Sequence, residues 1–275
     1  MINPEVGREN EFDIKTDKPL NIAIIGGGPA GMSAAKYLAK KGHNVELYEK
    51  DNKIGGQLNA AKIPPHKDEI GRVIEYLKRD LKKYKVKIHL NKNITLNDIK
   101  EMPYDKFVIA TGSKPGKIVL EMDVNSYNAI DVLYGNLPRG NDIAIIGGGL
   151  TGLETAEYLA KKGKNVTVFE AKDEVGEGIF PMIRKLLLNR LKNLNVNIFT
   201  KTVIKEISGG KILYSVNGAY KVLKVDDVVT AVGNLPDKEF TELTNDGRYY
   251  FIGDCKSVAS AVEAIRDGAE LSLII

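Results

Sequence analysis

Short apolar runs alternate along this chain with stretches whose apolar residues recur at helical spacing. Residues 21–25 (NIAII) form a continuous apolar run, a helical pattern follows from Pro29 to about Lys41, and a second run covers 44–48. A Gly/Pro-rich loop, KIGGQLNAAKIPP, precedes a helix near 67–84, in which Ile70, Ile74, Leu77 and Leu81 share one face. The runs VKIHL and YDKFVIATG then read as strands. Beyond Gly112 the segment SKPGKIVLEMD reads as a linking strand, and a second strand–helix–strand unit spans Asp142 to Phe169. A helix near 181–194, the run VNIFT and a hairpin-like stretch over 202–225 with Gly209, Gly210 and Gly218 follow. Strands alternating with helices predict an α/β fold with a mostly parallel sheet. Residues 1–20, with Pro4, Gly7, Pro19 and many charges, read as an irregular N-terminal arm.

The two strand–helix–strand units are copies of one another. Aligned from Ile22 and Ile143, roughly eighteen of twenty-nine positions are identical. DVVTAVGNLPD closes the second copy much as KFVIATGSKPG closes the first. That leaves RYYFIGDC and a helical stretch over 258–273 without a place in the second copy, and the first domain is their natural home. The expected architecture is therefore two Rossmann-like dinucleotide-binding domains, the second inserted into the first. The discontinuous first domain spans 21–112 and 226–275, and the second spans 113–225.

Each copy carries GxGxxG between a strand and a helix. In the first copy Gly26 permits the tight turn, Gly28 lets the backbone approach a pyrophosphate, and Gly31 lets the helix pack closely on the sheet. Gly147, Gly149 and Gly152 repeat these roles. The helix N-terminus offers unpaired N–H groups and partial positive charge to the anion. Each second strand also ends in an acid, Glu49 or Glu170, about 20 residues on, where a carboxylate can accept hydrogen bonds from ribose hydroxyls. Two such sites in one chain imply a bound flavin dinucleotide and a diffusible nicotinamide dinucleotide, with hydride passing between them. The cofactors carry that chemistry, so no side chain is assigned as catalytic.

The segment YYFIGDC points to which copy holds the flavin. Asp254 at a strand end could hold ribityl hydroxyls or cap the helix expected to begin near Val258. That helix would aim its positive end at the reduced flavin ring. The flavin, FAD, is accordingly expected in the first domain. In the second copy Glu170 is followed by Ala171 and Lys172, with no arginine cluster to receive a 2′-phosphate. NADH is therefore expected over NADPH, with Lys172 a partial screen on Glu170.

Composition narrows the picture further. Charged residues are 28% and hydrophobic residues 43% of the chain, the balance of a folding globular protein. The net charge of +4 arises from Lys interspersed with acids, so no nucleic-acid-binding stripe is visible. Cys255 is the single cysteine, which excludes an internal disulfide, a CxxC redox pair and a cysteine-bound cluster within the chain. It is expected to be a small buried filler rather than a redox group. No apolar run approaches the ~18–20 residues of a membrane span, and MINPEVGREN lacks the apolar core of a secretory signal; a cytoplasmic location is the expectation.

The order GGGPAG, GGQL, VIATGS, GGGLTGLE, VVTAVG and YFIGDC resembles the flavoproteins with two dinucleotide-binding domains. The likeness runs from about Asn21 to the C-terminus and is strongest to the C-terminal module of the 2-enoate and 2,4-dienoyl-CoA reductases and trimethylamine dehydrogenase. INPEVGRENEF resembles the NPxxGRE stretch that follows the iron–sulfur cysteines there. Carried over by motif, the resemblance implies that Gly26, Gly28, Pro29, Ala30, Gly31, Glu49 and Lys50 hold the ADP part of FAD. It places Gly56, Gln57, Leu58, Ala110, Thr111, Gly112, Gly253 and Asp254 along the ribityl chain and ring. It implies a nicotinamide-cofactor site of Gly147, Gly149, Leu150, Thr151, Gly152, Glu170 and Gly233. Glu154 stands where relatives place a glutamate near the nicotinamide, or else has a packing or helix-surface role.

Those reductases also carry an FMN barrel and a four-cysteine iron–sulfur cluster, and this chain has neither. The resemblance therefore implies a module that passes electrons from NADH through FAD to an acceptor protein, or to a barrel or iron–sulfur subunit. The 1–20 arm is either a loose terminus or a docking element for such a partner. Thioredoxin reductases share GGQL and the domain order, but without CxxC their disulfide chemistry is excluded here. Two rivals remain: a self-sufficient NAD(P)H oxidase, quinone or dye reductase, and a non-catalytic nucleotide-binding module that holds only ADP. Metal ligands are not expected, and the oligomeric state is left open.

Overall fold

The computed structural model describes residues 3–216, 218–243 and 247–275. Met1 and Ile2 of the arm, Asn217 of the hairpin stretch and residues 244–246 of the returning segment lie outside them. In chain order, β1 (Asn21–Ile25), α1 (Pro29–Lys41), β2 (Asn44–Tyr48), α2 (Leu58–Ala61) and α3 (Ile70–Lys83) come first. Next are β3 (Lys87–His89), α4 (Leu96–Glu101), β4 (Lys106–Ile109) and β5 (Ser113–Pro115). The middle of the chain forms β6 (Asn125–Asn128), α5 (Ala129–Leu133), β7 (Asp142–Ile146), α6 (Leu150–Lys161), β8 (Asn165–Phe169), α7 (Pro181–Asn193) and β9 (Asn197–Phe199). Three strands, β10 (Thr202–Ser208), β11 (Lys211–Val216) and β12 (Ala219–Lys224), lead to β13 (Asp227–Thr230) and β14 (Asn234–Pro236). Strand β15 (Tyr249–Phe251) and helix α8 (Ala261–Ile274) end the chain.

Two compact units result, one from Met1–Lys62, Glu69–Lys114 and Leu235–Ile275, the other from Ile63–Asp68 and Pro115–Asn234. The first unit holds a five-stranded sheet in the order β15-β4-β1-β2-β3, parallel throughout. The second holds β6-β13-β7-β8-β9, also parallel throughout. The repeat is thus visible in topology: β7, β8, β9 and β13 stand where β1, β2, β3 and β4 stand in the first sheet.

Alternate residues of each apolar run serve opposite faces of the sheet. Ile22, Ile24, Val45, Leu47 and Val108 pack with α1, α3 and α8, whereas Ala23, Ile25, Phe107 and Ile109 pack with Ile99 of α4 and Phe240. In the second unit Ile143, Ile145, Val166, Val168 and Val229 meet α5, α6 and α7. Its other face, with Ala144, Phe169 and Val228, is covered by Ile207, Ile212 and Tyr214. Those three residues come from the antiparallel meander β10-β11-β12, so the stretch expected as a hairpin is three-stranded. Fully burying each such aliphatic side chain contributes roughly 1.5–3 kcal/mol.

Helix limits follow local chemistry. Pro29 opens α1, and Gly42 closes it with φ 114°, its N–H reaching the carbonyls of Leu38 and Ala39. Thr95 and Asp98 form a capping box on α4, as do Ser260 and Glu263 on α8. Gly268 lets α8 cross α1 closely, because a Cβ there would overlap the Ala30 carbonyl oxygen, and Ser33 donates a 2.6 Å hydrogen bond to the carbonyl of Ile265.

Several expectations need correction. The linking strand at 113–123 is only the three-residue β5: beyond Gly116 the apolar run 118–120 is not buried against a sheet, and Val119 is 98% exposed. Strand β13 still pairs with β7 and β6, so the second unit runs to Asn234 rather than stopping at 225. The short segment Ile63–Asp68 also belongs to that unit. The arm is not loose: Phe12 is 4% exposed and packs at 5.1 Å on the Tyr37 ring, while Arg8 pairs with Glu270 and Lys40 with Asp13.

Candidate functional site

Both glycine loops adopt the same geometry at the carboxyl end of their sheets. Gly26 and Gly147 have φ of 112° and 111°, and a Cβ on either would overlap the carbonyl oxygen of Ala110 or Ala231. A Cβ on Gly31 or Gly152 would overlap the carbonyl of Gly26 or Gly147, so these glycines seat each helix on its own turn. Gly28 and Gly149 differ. Their φ values of −74° and −70° suit any residue, and nothing lies within 4 Å of the position a Cβ would take. The fold does not require glycine there, which is what an approaching pyrophosphate would require. Helices α1 and α6 also start with no side-chain cap, leaving their N-termini to an anion. The residues present therefore fit two phosphate-bridged nucleotides.

Glu49 and Glu170 do more than wait for a ribose. Glu49 Oε2 accepts the Gly27 N–H at 2.8 Å and Oε1 the Asp51 N–H at 2.9 Å. Glu170 repeats both bonds, from Gly148 N–H at 2.7 Å and Lys172 N–H at 2.9 Å. Each acid clamps its own loop, while each carboxylate oxygen keeps a lone pair for a ligand hydroxyl. Gly55 and Gly176 complete the match, donating to the Gly27 and Gly148 carbonyls at 2.7 Å. Lys50 is exposed beside Glu49. Lys172 turns its ammonium to the Glu177 carboxylate in an exposed pair, so it screens Glu170 less than expected.

Around the first loop, Pro29, Ala30 and Gly31 form the opening turn of α1. Gly56, with φ 50°, lies against Gly28, and Gln57 and Leu58 begin α2. Ala110, Thr111 and Gly112 follow β4. Ser113 joins these segments to the returning chain: Gln57 Nε2 donates to Ser113 Oγ at 2.8 Å, and Ser113 Oγ donates to Asp254 Oδ2 at 2.9 Å. Gly253 is pinned by its N–H to Asp267 at 2.7 Å. Asp254 does not cap the final helix, which starts at Ala261 behind Ser260; its Oδ1 accepts the Ala259 N–H at 3.2 Å instead. Ser113 escaped sequence reasoning because a lone serine after ATG carries no signal of its partners.

In the second unit Leu150 and Thr151 open α6, and Gly233, with φ 87°, follows β13 as Gly112 follows β4. Glu154 lies on α6 at 8% exposure, which suits a packed position and not an exposed helix surface. Burial raises its pKa, opposed by Lys67, whose Nζ is 2.6 Å away. Beside it, the fully buried Glu157 takes Arg190 at 2.7 and 3.0 Å, with Lys161 at 3.5 Å. Neither Lys67 nor this pair was visible in the sequence, because Lys67 reaches α6 from a segment more than one element away.

Cys255 is half-buried, and its Sγ donates to the Ile109 and Ile252 carbonyls, each at 3.1 Å. Burial pushes the thiol pKa up, so thiolate is scarce near neutrality. A thiol-reactive disulfide reagent at pH 8 is expected to label the folded chain far more slowly than the urea-unfolded chain; equal rates would show an exposed, activated thiol. Among the described residues no group of acids, histidines and cysteine could hold a metal ion, and no helix is long and apolar enough to cross a membrane.

Similarity to known proteins extends over nearly the whole chain. A family model described as pyridine nucleotide-disulphide oxidoreductase matches residues 20–268. Cinnamate reductase of Clostridium sporogenes is 32% identical over 98% of this chain and 42% of its own length. NADH oxidase of Thermoanaerobacter brockii is 30% identical over 98% of this chain and 44% of its own. A solved 2-naphthoyl-CoA reductase complex superposes with a TM-score of 0.93 at 31% identity, covering 99% of this chain and 43% of that one. The chain thus spans less than half the length of these relatives.

Proposed function

We propose that this chain, which belongs to the pyridine nucleotide-disulphide oxidoreductase family, is an FAD-dependent NADH-oxidising electron-transfer oxidoreductase. The first unit holds FAD and the second binds NADH, as two Rossmann-like domains with the second inserted into the first. The observation that carries this is the doubled cradle, in which Gly28 and Gly149 leave open space that the fold itself does not need. FAD, when bound, supplies the chemistry of accepting a hydride and releasing electrons onward.

The protein's own part is to bind and orient. Gly26, Gly28 and Gly31 with the start of α1 receive the FAD pyrophosphate, and Glu49 its adenosine ribose. Gln57 and Asp254 flank the ribityl chain. Gly147, Gly149 and Gly152 with α6 do the same for NADH, and Glu154 lies toward its nicotinamide end. Electrons then pass to an acceptor protein, or to a barrel or iron–sulfur subunit. The test is a visible absorption spectrum of the purified protein. A yellow chain bleached by NADH and recoloured by a quinone dye supports this function. A colourless chain releasing ADP on denaturation would support the rival, a structural nucleotide-binding module, and sink the redox role.

Glu170 sets the choice of nucleotide. Its carboxylate would face the 2′-phosphate of NADPH, and the adjoining Lys172 is engaged with Glu177. NADH is therefore expected to exceed NADPH in kcat/KM by at least ~10-fold, and Glu170→Gln to narrow the ratio, since unit charges ~4–6 Å apart at a protein surface interact by a few kcal/mol. Equal use of both nucleotides by the unaltered protein would refute this.

A further inference from the structure

The two cradles match loop for loop, yet one of them has a feature the other lacks. The repeat puts Gly178 where Gln57 stands and Asn234 where Ser113 stands, and the first unit alone receives the returning Gly253–Asp254 turn. From these residues the first unit builds a side-chain relay: Gln57 Nε2 to Ser113 Oγ at 2.8 Å, and Ser113 Oγ to Asp254 Oδ2 at 2.9 Å. It joins three segments that are far apart in sequence, the loop after β2, the loop after β4 and the turn after β15. Gly178 has no side chain with which to make the equivalent bond.

We infer that Ser113 is the positioning residue that makes the first cradle a retaining site for FAD, by fixing Gln57 and Asp254 around the part of the ligand beyond its pyrophosphate. This rests on the flavin assignment above. The chemistry is directional. Ser113 spends its only O–H on Asp254 and accepts from Gln57, which sets the orientation of both neighbours. Asp254 Oδ1 is already held by the Ala259 N–H at 3.2 Å. The carboxylate is therefore fixed at both oxygens, each with acceptor capacity left for a ribityl hydroxyl. The amide oxygen of Gln57 is turned by the same bond. Without the Ser113 hydroxyl, Gln57 loses its 2.8 Å bond and Asp254 one of its two anchors, so the ligand must complete the ordering of both side chains, at a cost to its affinity. The adenosine and pyrophosphate contacts of Glu49 and the glycine loop do not involve the relay, so its loss would fall on FAD and spare ADP.

The test uses the flavin-stripped chain of 275 residues, titrated with FAD by flavin fluorescence quenching, with ADP as the competitor. Competition against FAD reports on the first cradle alone. Ser113→Ala is expected to weaken FAD on the order of 10-fold, the cost of leaving the ligand to order two side chains that the relay otherwise holds. The inhibition constant of ADP should stay within about twofold, and Ser113→Thr, which keeps the hydroxyl, should restore FAD binding. Gln57→Met, which removes the other arm, should weaken FAD in the same selective way. The inference is overturned if Ser113→Ala binds FAD as tightly as the wild type, or if FAD and ADP weaken together. A wild-type chain that binds ADP but never FAD is a different result: it overturns the flavin assignment itself, and the relay's role with it.

Discussion

Gly149→Asp is expected to leave the protein folded and yellow while cutting NADH-driven flavin bleaching by roughly 100-fold or more. Gly149 takes φ −70° and ψ −178°, ordinary for any residue, and its missing Cβ faces open space. The substitution therefore costs the fold little. What it places in the mouth of the second cradle is a carboxylate against a pyrophosphate, and two such charges ~4 Å apart repel by about 4 kcal/mol at a partly solvated site. Gly28→Asp is the mirror experiment: the same backbone geometry in the first cradle, with the flavin lost and nucleotide binding at the second kept. Gly147→Ala is the opposite control, since φ 111° and the Ala231 carbonyl leave a methyl no room and the fold itself should fail. Stopped-flow absorbance decides the matter. If Gly149→Asp is bleached by NADH at the wild-type rate, the second cradle is not the NADH site.

That contrast between Gly147 and Gly149 also marks what was legible in the chain. The sheets were, because Ile22 and Ile24 face one layer while Ala23 and Ile25 face the other, and a strand buried on both sides must be apolar at every position. The glycine loops were, because close approach of backbone demands one residue type at fixed spacing. Strand β6 was not: Asn125–Asn128 (NSYN) is an edge strand whose ladder comes from β13 and not from its own apolarity. The meander was half visible, since glycine marks its turns, but nothing local says that Tyr214 covers Phe169 at 5.0 Å. Phe12 was hidden for the same reason, one apolar residue in a polar arm whose partner is Tyr37. At the candidate sites, the residues with motif-level signals were named, whereas Ser113 and Lys67 were missed. Each of the latter is defined by a partner across the fold, Asp254 or Glu154, and a polar residue's partner is a tertiary fact. The clamp of Glu49 on Gly27 shows the intermediate case: the acid was legible, but its backbone duty was not.

The largest stability effect should come from Phe107, and it should couple directly to the flavin. Phe107 is fully buried in β4, stacked on Tyr249 at 5.7 Å and edge-on to Tyr104 at 5.8 Å, with the Arg248 guanidinium 5.4 Å from its centroid. It thereby fixes β15 against β4. Those two strands lead directly into Ala110–Gly112 and Gly253–Asp254. Truncating a buried Phe to Ala costs about 3–5 kcal/mol, which for a unit of this size lowers its melting temperature by roughly 6–20 °C. Phe107→Ala should therefore release flavin fluorescence earlier on heating by that margin. Phe169→Ala is the matched control. Phe169 is equally buried, packed on Phe199 and Tyr214 in the other unit, and holds no strand that carries a flavin residue. Its loss should lower the midpoint seen by circular dichroism and move flavin release much less. If the two variants shift flavin release alike, the flavin is not held by the ends of β4 and β15, and its assignment to the first unit is wrong.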